Sequence, residues 1–489
     1  CELHHLTFRL RTLLWDTPHP NEIALATSPC LQKVKIFCSW RDSDGDDDFN
    51  QEAIMELVAH LAPNLKQVTM VKFTPNLSPK YNRPRGRWQG LPGFIPEKIG
   101  SLTSLSVIGN PNLRSPELID AWAKFTDFGW LQHLNLGGTG YGGLSSELMS
   151  YISHNYSFPR LRTLGLVLTR DDGREEKPHY GDNIIAFFTS LKPLEELSIS
   201  GPLEPKIIDT ILCRHGRTLT KLVLHPVEAI PYGSNFRREM PLIFTKENIL
   251  KIQAECLKLE ELVIPVKRMK SNKAEVGVYK SFAKMECLRS LFLILDCSDW
   301  RLYRDITYDP SLEPEFDDFD LQTWSNHIKN GHLRTALMNC AVDETLARSI
   351  WDLISQNKAG RQLESLRLWT TGAGTFGSRD RTRRLPRDDK DAIAVMEIGQ
   401  FAREAHDQEY RESRKNRLRF FKMRDYEASL TPEQREGEVA KYGELQQPPD
   451  SDSDYDLDEA RAKISSRIWP RTEGSKNWRD DWSSLPLEV

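Results

Sequence analysis

The stretch LQHLNLGGTGYGGLSSELMSYI, Leu131 to Ile152, admits two readings that lead to different folds. It holds a G-x-G-x-x-G at Gly138, Gly140 and Gly143, between a strand-like hexamer and a helix-like segment. The first strand of a dinucleotide-binding unit is covered by helices on both faces and reads as a nearly continuous apolar run. LQHLNL alternates instead, with Leu134 and Leu136 on one side and His133 and Asn135 on the other. A strand of that kind buries one face only. The glycines then belong to a tight turn leaving the strand, with Thr139 at its turn position, and no cofactor is expected.

The same hexamer, L-x-x-L-x-L with conservative replacements, recurs along the chain. It reads LHHLTF from Leu3, LQKVKI from Leu31, LKQVTM from Leu65, LTSLSV from Leu102, LQHLNL from Leu131 and LRTLGL from Leu161. It continues as LEELSI from Leu194, LTKLVL from Leu219, LEELVI from Leu259, LRSLFL from Leu288 and, after a gap, LESLRL from Leu363. Neighbouring copies stand roughly 25 to 40 residues apart, overlapping and exceeding the leucine-rich-repeat range of about 20 to 29. Segments such as DFNQEAIMELVAHL from Asp48, SPELIDAWAKF, GDNIIAFFTSL with Asp182 as its cap, and PKIIDTILCRHG between Pro205 and Gly216 read as the helices in between. One strand and one helix cannot enclose a core, whereas stacked neighbours can. The expected fold is α/β: an irregular leucine-rich-repeat solenoid over residues 1–377, parallel strands concave and helices convex, with an insertion around 296–330.

Composition narrows function mainly by exclusion. The 489 residues suit a long repeat array or up to about three ordinary domains. A net charge of −4 with scattered Lys and Arg gives no electrostatic reason to expect nucleic acid. Eight widely spaced cysteines read as reduced, mostly buried thiols, which suggests the cytoplasm or nucleus. The longest apolar run, LRSLFLIL, is too short to span a bilayer, so no membrane partner is expected. The chain starts at Cys1 within patterned sequence, and a further N-terminal piece is expected ahead of it.

Two late segments carry a resemblance. NGHLRTALMNCAVDETLARSIWDLISQNKAGRQLESLRLWTTGAGTFG, Asn330 to Gly377, and the ending IWPRTEGSKNWRDDWSSLPLEV from Ile468 resemble segments of leucine-rich-repeat proteins of filamentous fungi, many of them F-box proteins. That resemblance implies a substrate receptor of an SCF-type ubiquitin ligase, in which an F-box binds a Skp adaptor and the repeats hold a protein for ubiquitylation. No F-box precedes Leu3 in this chain, so a Skp-type partner depends on an upstream segment. The alternative is a free-standing repeat scaffold with no ubiquitin role.

The residue between the two paired apolar positions of each copy defines a row on the concave face. It runs Thr7, Lys35, Thr69, Ser106, Asn135, Gly165, Ser198, Val223, Val263, Phe292 and Arg367, turning from polar to apolar. With His225, Glu261, Ile294 and Trp369 beside Val223, Val263, Phe292 and Arg367, it forms the candidate protein-binding site. Either a partner covers this patch, or the insertion from Tyr308 to Ile328 or the C-terminal tail does.

Other candidates read as structural. His327, His332 and Cys340 do not share a helical face as metal ligands would. DSDGDDDFNQE, Asp42 to Glu52, places Gly45 fourth where a calcium loop needs it sixth, and reads as a solvated acidic loop. Asp343 caps a helix that ends before Gly360, with Leu346, Ile350, Leu353 and Ile354 on one face and Trp351 in core or interface. Residues 378–445 read as a charged helical segment, with a basic cluster from Arg411 to Arg424 around Phe420 and Phe421, and a capping box from Thr431 to Gln434. Residues 446–460 read as an acidic disordered linker with Ser451 and Ser453 as kinase candidates. Residues 461–489 hold Trp469, Trp478 and Trp482, which call for an apolar partner.

Overall fold

Every copy of the hexamer becomes one strand of a single parallel sheet. The computed structural model describes residues 6–7, 20–41, 47–73, 84–109, 113–137, 143–170, 179–228, 240–325, 328–372, 430–431, 433–434, 436, 463–475 and 481–489. The strands are β1 (Leu6–Thr7), β2 (Lys33–Cys38), β3 (Gln67–Lys72), β4 (Ser104–Gly109), β5 (His133–Leu136), β6 (Leu144–Ser145) and β7 (Thr163–Thr169). They continue as β8 (Glu196–Gly201), β9 (Lys221–Pro226), β10 (Glu261–Lys267), β11 (Ser290–Asp296), β12 (Thr323–Ser325), β13 (Ile328–Lys329) and β14 (Ser365–Thr371). The sheet order is β1-β2-β3-β4-β5-β7-β8-β9-β10-β11-β14, with β6 beside β7, while β12 and β13 form a separate antiparallel pair. The molecule is an irregular leucine-rich-repeat solenoid, strands on the concave face and helices on the convex one.

Period two decides which side chains are buried. Val34, Val68, Leu105, Leu134, Leu164, Leu197, Leu222, Leu262 and Leu291 are successive cross-strand partners, each at most 4% exposed. One main-chain device repeats beside them and fixes the register. The carbonyl of Lys66 accepts from Thr103 N and Ser104 N at 2.9 and 3.0 Å, and that of Thr103 from Gln132 N and His133 N at 2.8 and 3.0 Å. The same step recurs through Gln132, Arg162, Glu195, Thr220, Glu260 and Arg289. A slip of one residue would break both rungs and turn every leucine outward.

The helices are α1 (Pro20–Ala26), α2 (Asn50–Glu56), α3 (Glu117–Phe125), α4 (Ser146–Asn155), α5 (Tyr180–Ser190), α6 (Pro205–His215), α7 (Lys246–Glu255) and α8 (Lys273–Phe282). Past the sheet's main run come α9 (Arg301–Arg304), α10 (Asn330–Cys340) and α11 (Glu344–Gln356). Their starts follow the cap rules: Ser145, Asn272 and Asp343 accept from Leu148 N, Glu275 N and Leu346 N at 3.1, 3.0 and 2.9 Å. Pro205 takes the first turn of α6, and Gly360 beyond α11 has φ +67°. Asp182 is not a cap: α5 begins two residues earlier, because Tyr180 is buried and donates to Pro202 O at 2.8 Å. Asp182 sits in the first turn.

The acidic stretch departs from its solvated reading at the residues described. Asp47 pairs with Arg41 and accepts from Gly86 N at 2.6 Å, Asp48 accepts from Asn50 N at 2.8 Å, and Glu52 pairs with Arg85 at 2.6 Å. The cations that hold these carboxylates come from either side of the stretch in sequence. Arg85 opens a segment that takes a helix's place between β3 and β4 and runs along α2: Trp88 Nε1 and Leu91 N each donate to Glu56 at 2.6 Å.

Beyond β11 the chain leaves the array and builds a second, smaller core. Leu333, Leu337 and Cys340 of α10 pack with Cys297, Ile328, Ile464 and Trp469. The chain then returns through α11 so that β14 lies beside β11 in full register. A buried ion pair joins the two cores: Arg268 bonds Glu275, both side chains fully buried, and Arg268 Nε donates to Asn339 O at 3.1 Å. Glu275 also accepts from Tyr279 Oη at 2.7 Å and from Met269 N and Ser271 N at 2.6 and 3.0 Å. These bonds hold Lys270 and Ser271 at φ +56° and +62°, a region costly for residues with a Cβ.

The tail docks on that turn. Ser271 Oγ donates to Leu485 O at 3.0 Å and Glu488 N to Ser271 O at 2.9 Å. Ser484 donates to the Asp343 carboxylate through N and Oγ at 2.9 and 2.7 Å. The Thr431 and Gln434 box forms, with Thr431 N donating to Gln434 Oε1 at 2.9 Å. Gly138, Thr139, Gly140, His327, the cluster from Arg411 to Arg424, Ser451, Ser453 and Trp478 lie outside the described residues, as do nearly all of 378–462.

Candidate functional site

The row expected from sequence exists as a row. Thr7, Lys35, Thr69, Ser106, Asn135, Gly165, Ser198, Val223, Val263, Phe292 and Arg367 are partners in succession across the sheet. From Lys35 to Phe292 each lies between two buried positions of its own strand, and Arg367 lies between the partly buried Leu366 and Leu368, so the alternation turns them outward. Val223, Val263 and Phe292 are half-buried and Arg367 is exposed. With strands about 4.8 Å apart, these four residues form a strip about 15 Å long.

One step toward the strand exits, Ile294 is in register with Trp369, which is 49% exposed, and His225 is in register with Ser200. Burial holds the His225 imidazole below its usual pKa despite the pull of Asp296, so at neutral pH it is an uncharged, half-buried ring. Toward the strand entries the surface changes to paired charge. Glu261 meets Lys221 at 2.9 Å, and Arg289 lies between Glu364 at 2.7 Å and Glu260 at 3.3 Å. The hydrogen bond to Glu364 raises the Arg289 pKa and depresses that of Glu364. Arg361 lies 3.8 Å from Glu260, so three cations face three carboxylates here, and these exposed pairs cancel in charge and are screened by salt. The site is an apolar strip that ends at the exposed Arg367 and has a neutralised polar margin, suited to burying a partner's side chains.

The segments that were expected to compete for this strip are held elsewhere where they are described. The insertion wraps α10: Tyr308 Oη lies 3.1 Å from His332 Nε2, and the Phe316 ring stands edge-on to His332. The tail tryptophans Trp469 and Trp482 lie together at 6.4 Å, Trp469 within the second core and Trp482 against it, with Trp469 Nε1 donating to Ser483 O at 2.9 Å.

The residues weighed for metal have structural duties. His332 Nδ1 accepts from Lys329 N at 2.9 Å, and burial lowers its pKa to about 4. The Cys340 thiol lies in the second core, where burial raises its pKa. Gly143 of the glycine-rich turn is required by close approach: a Cβ there would stand 2.9 Å from that of Thr169 on β7. Trp351 packs against the main core.

Sequence reasoning missed an aromatic edge at the other end of the sheet. Phe37 is in register with Val71 and Ile108, and Phe37, Trp40 and Phe73 are 40, 62 and 40% exposed. The signal lay one residue past the hexamer LQKVKI, where Phe37 follows Ile36.

Among the described residues no helix is long and apolar enough to cross a membrane. No protein-family model and no curated protein matches the chain. Among solved structures it is similar to a chain of a crystal structure of the Rad7 and Elc1 complex in yeast, with 18% identity and a TM-score of 0.30. The similarity covers 61% of this chain and 66% of that one.

Proposed function

We propose that the chain is a non-catalytic protein-binding module whose contact surface is the concave strip of β9, β10, β11 and β14. The observation that supports this is the register of Val223, Val263, Phe292 and Arg367 beside Ile294 and Trp369. An apolar strip of that size, bordered by neutralised charge, gains by being covered. In the finer reading the module is the substrate-recognition part of an SCF-type ubiquitin ligase receptor. What supports it is that the two segments with a family resemblance form one unit: Trp469 packs with Leu333 and Leu337, and Ser484 is anchored on Asp343.

Two experiments separate the levels. Phe292→Asp is expected to abolish capture of a crosslinked cellular partner while leaving the thermal unfolding profile in place; undiminished capture would remove the strip from the contact surface. For the ligase, the product of the full coding sequence is expected to co-purify with a Skp adaptor. If it does not, the free-standing scaffold is the correct reading.

A further inference from the structure

The outward rows of β2 to β5 differ from the apolar strip in both charge and shape. On β2 the outward side chains are Lys33, Lys35 and Phe37, and their partners on β3, β4 and β5 are Gln67, Thr69 and Val71, Ser104, Ser106 and Ile108, and His133 and Asn135. None of these is a carboxylate. Among the described residues neither lysine has an ion-pair partner: Lys33 is exposed, and Lys35 Nζ lies 5.4 Å from the Phe37 ring. Beside this cationic, amide-rich floor runs the apolar line of Phe37, Val71 and Ile108, flanked by Phe73 and by Trp40, on which the Arg85 guanidinium rests at 5.2 Å.

We infer that β2 to β5 form a second contact surface, for an acidic protein segment carrying an apolar anchor. The segment's carboxylates meet Lys33 and Lys35, and its anchor lies on Phe37, Val71 and Ile108. Charge complementarity selects this occupant, since the surface supplies positive charge and amide donors with no competing carboxylate among the described residues of its outward rows. A protein fits better than nucleic acid, because two lysines neutralise too few phosphates, whereas exposed aromatic rings suit a side-chain anchor. From β5 to β9 three strand spacings intervene, about 15 Å, so the two surfaces are separable. The inference shares with the proposed function the premise that the concave face binds protein, but it depends on different residues.

The test uses the whole chain and a fluorescein-labelled peptide of alternating Glu and Leu, read by anisotropy. Binding is expected, weakening steeply with added salt, and at least tenfold weaker for the Lys33→Glu/Lys35→Glu double variant and for Phe37→Ser. Both variants change outward side chains, and circular dichroism melts verify that each remains folded; Lys33→Gln/Lys35→Gln, with an intermediate loss, covers the case of a misfolded double variant. Phe292→Asp is expected to leave peptide binding intact. If it abolishes binding, the peptide sits on the apolar strip and the inference fails while the proposed function stands. Equal binding by the Gln-Leu peptide, no loss in the lysine variants, or displacement by single-stranded RNA would also overturn it.

Discussion

The two ends of the solenoid share one inward apolar alternation, Val34 and Ile36 at one end and Leu291 and Leu293 at the other, and differ in almost everything else. At the β2 end the sheet is backed by α2 and by the segment from Arg85 to Leu91, whose anchors Arg85 and Glu52 are 18 and 26% exposed. At the β10 to β14 end it is backed by α8 and α11 and braced by a second core, the tail and the buried Arg268–Glu275 pair. The outward faces differ in parallel, basic and amide-rich at one end and apolar at the other. Inward positions have one environment to satisfy and so repeat, whereas outward positions are free to diverge toward whatever they meet.

The largest effect that can test this contrast is at the brace. Glu275→Ala removes the partner of a fully buried guanidinium and the acceptor for Tyr279, Met269 and Ser271. It is expected to cost about 3–5 kcal/mol in denaturant unfolding. Hydrogen exchange should rise at 481–489, because the turn that holds Leu485 and Glu488 is released. The matching change at the other end, Glu52→Ala, is expected to cost about 1 kcal/mol or less, since its pair is partly in water. Equal losses would mean that the ends are braced alike.

Acid probes the middle of the array. His215 is fully buried on α6, its Nδ1 accepts from Leu194 N at 3.3 Å, and burial together with Arg214 lowers its pKa to about 4. The unfolded chain therefore binds a proton that the native state excludes between its ordinary value of about 6.5 and about 4. The stabilisation is present above that ordinary value and is lost as pH falls through the window, by about 3 kcal/mol in all. Unfolding measured across this range should show a slope that a folded His215→Gln variant lacks.

A smaller effect is expected where the tail is tied. Burial raises the Asp343 pKa, but hydrogen bonds from Ser484 and Leu346 outweigh it and leave the carboxyl below its usual value. That contribution is present above the ordinary carboxylate pKa of about 3.9 and fades as pH drops through the depressed one. Asp343→Ala should cost about 0.5–2 kcal/mol at neutral pH, as a lost cap does, and loosen Ser484. The difference from the parent chain should shrink in acid; a constant difference would assign the whole effect to side-chain volume.

What the sequence revealed follows the same division. The hexamers predicted every strand of the sheet's main path and the register of the outward row, because a period of two needs only local information. The candidate strip was legible for that reason, although what covers it was not. Three features needed contacts that sequence does not display. The carboxylates at Asp47 and Glu52 read as solvated because their cations lie at Arg41 and Arg85. The tryptophans Trp469 and Trp482 called for a partner, but α10 is more than a hundred residues away. The line of Phe37, Val71 and Ile108 begins one position past the hexamer, beyond the fifth-place residues that defined the row.

The smallest expected effect bears on where the apolar strip ends. Glu261 and Lys221 are exposed and pair at 2.9 Å across β9 and β10, bordering Val223 and Val263. A double-mutant cycle with Glu261→Gln and Lys221→Gln is expected to give a coupling of about 0.2–1 kcal/mol, falling toward zero in high salt. That is the value of a margin, which keeps water and stray charge away without contributing much itself. If Glu261→Gln instead weakens partner capture as much as Phe292→Asp does, the charge is read by the partner. The binding surface would then extend to the strand entries, where Glu260, Arg289 and Glu364 continue the same line of alternating charge.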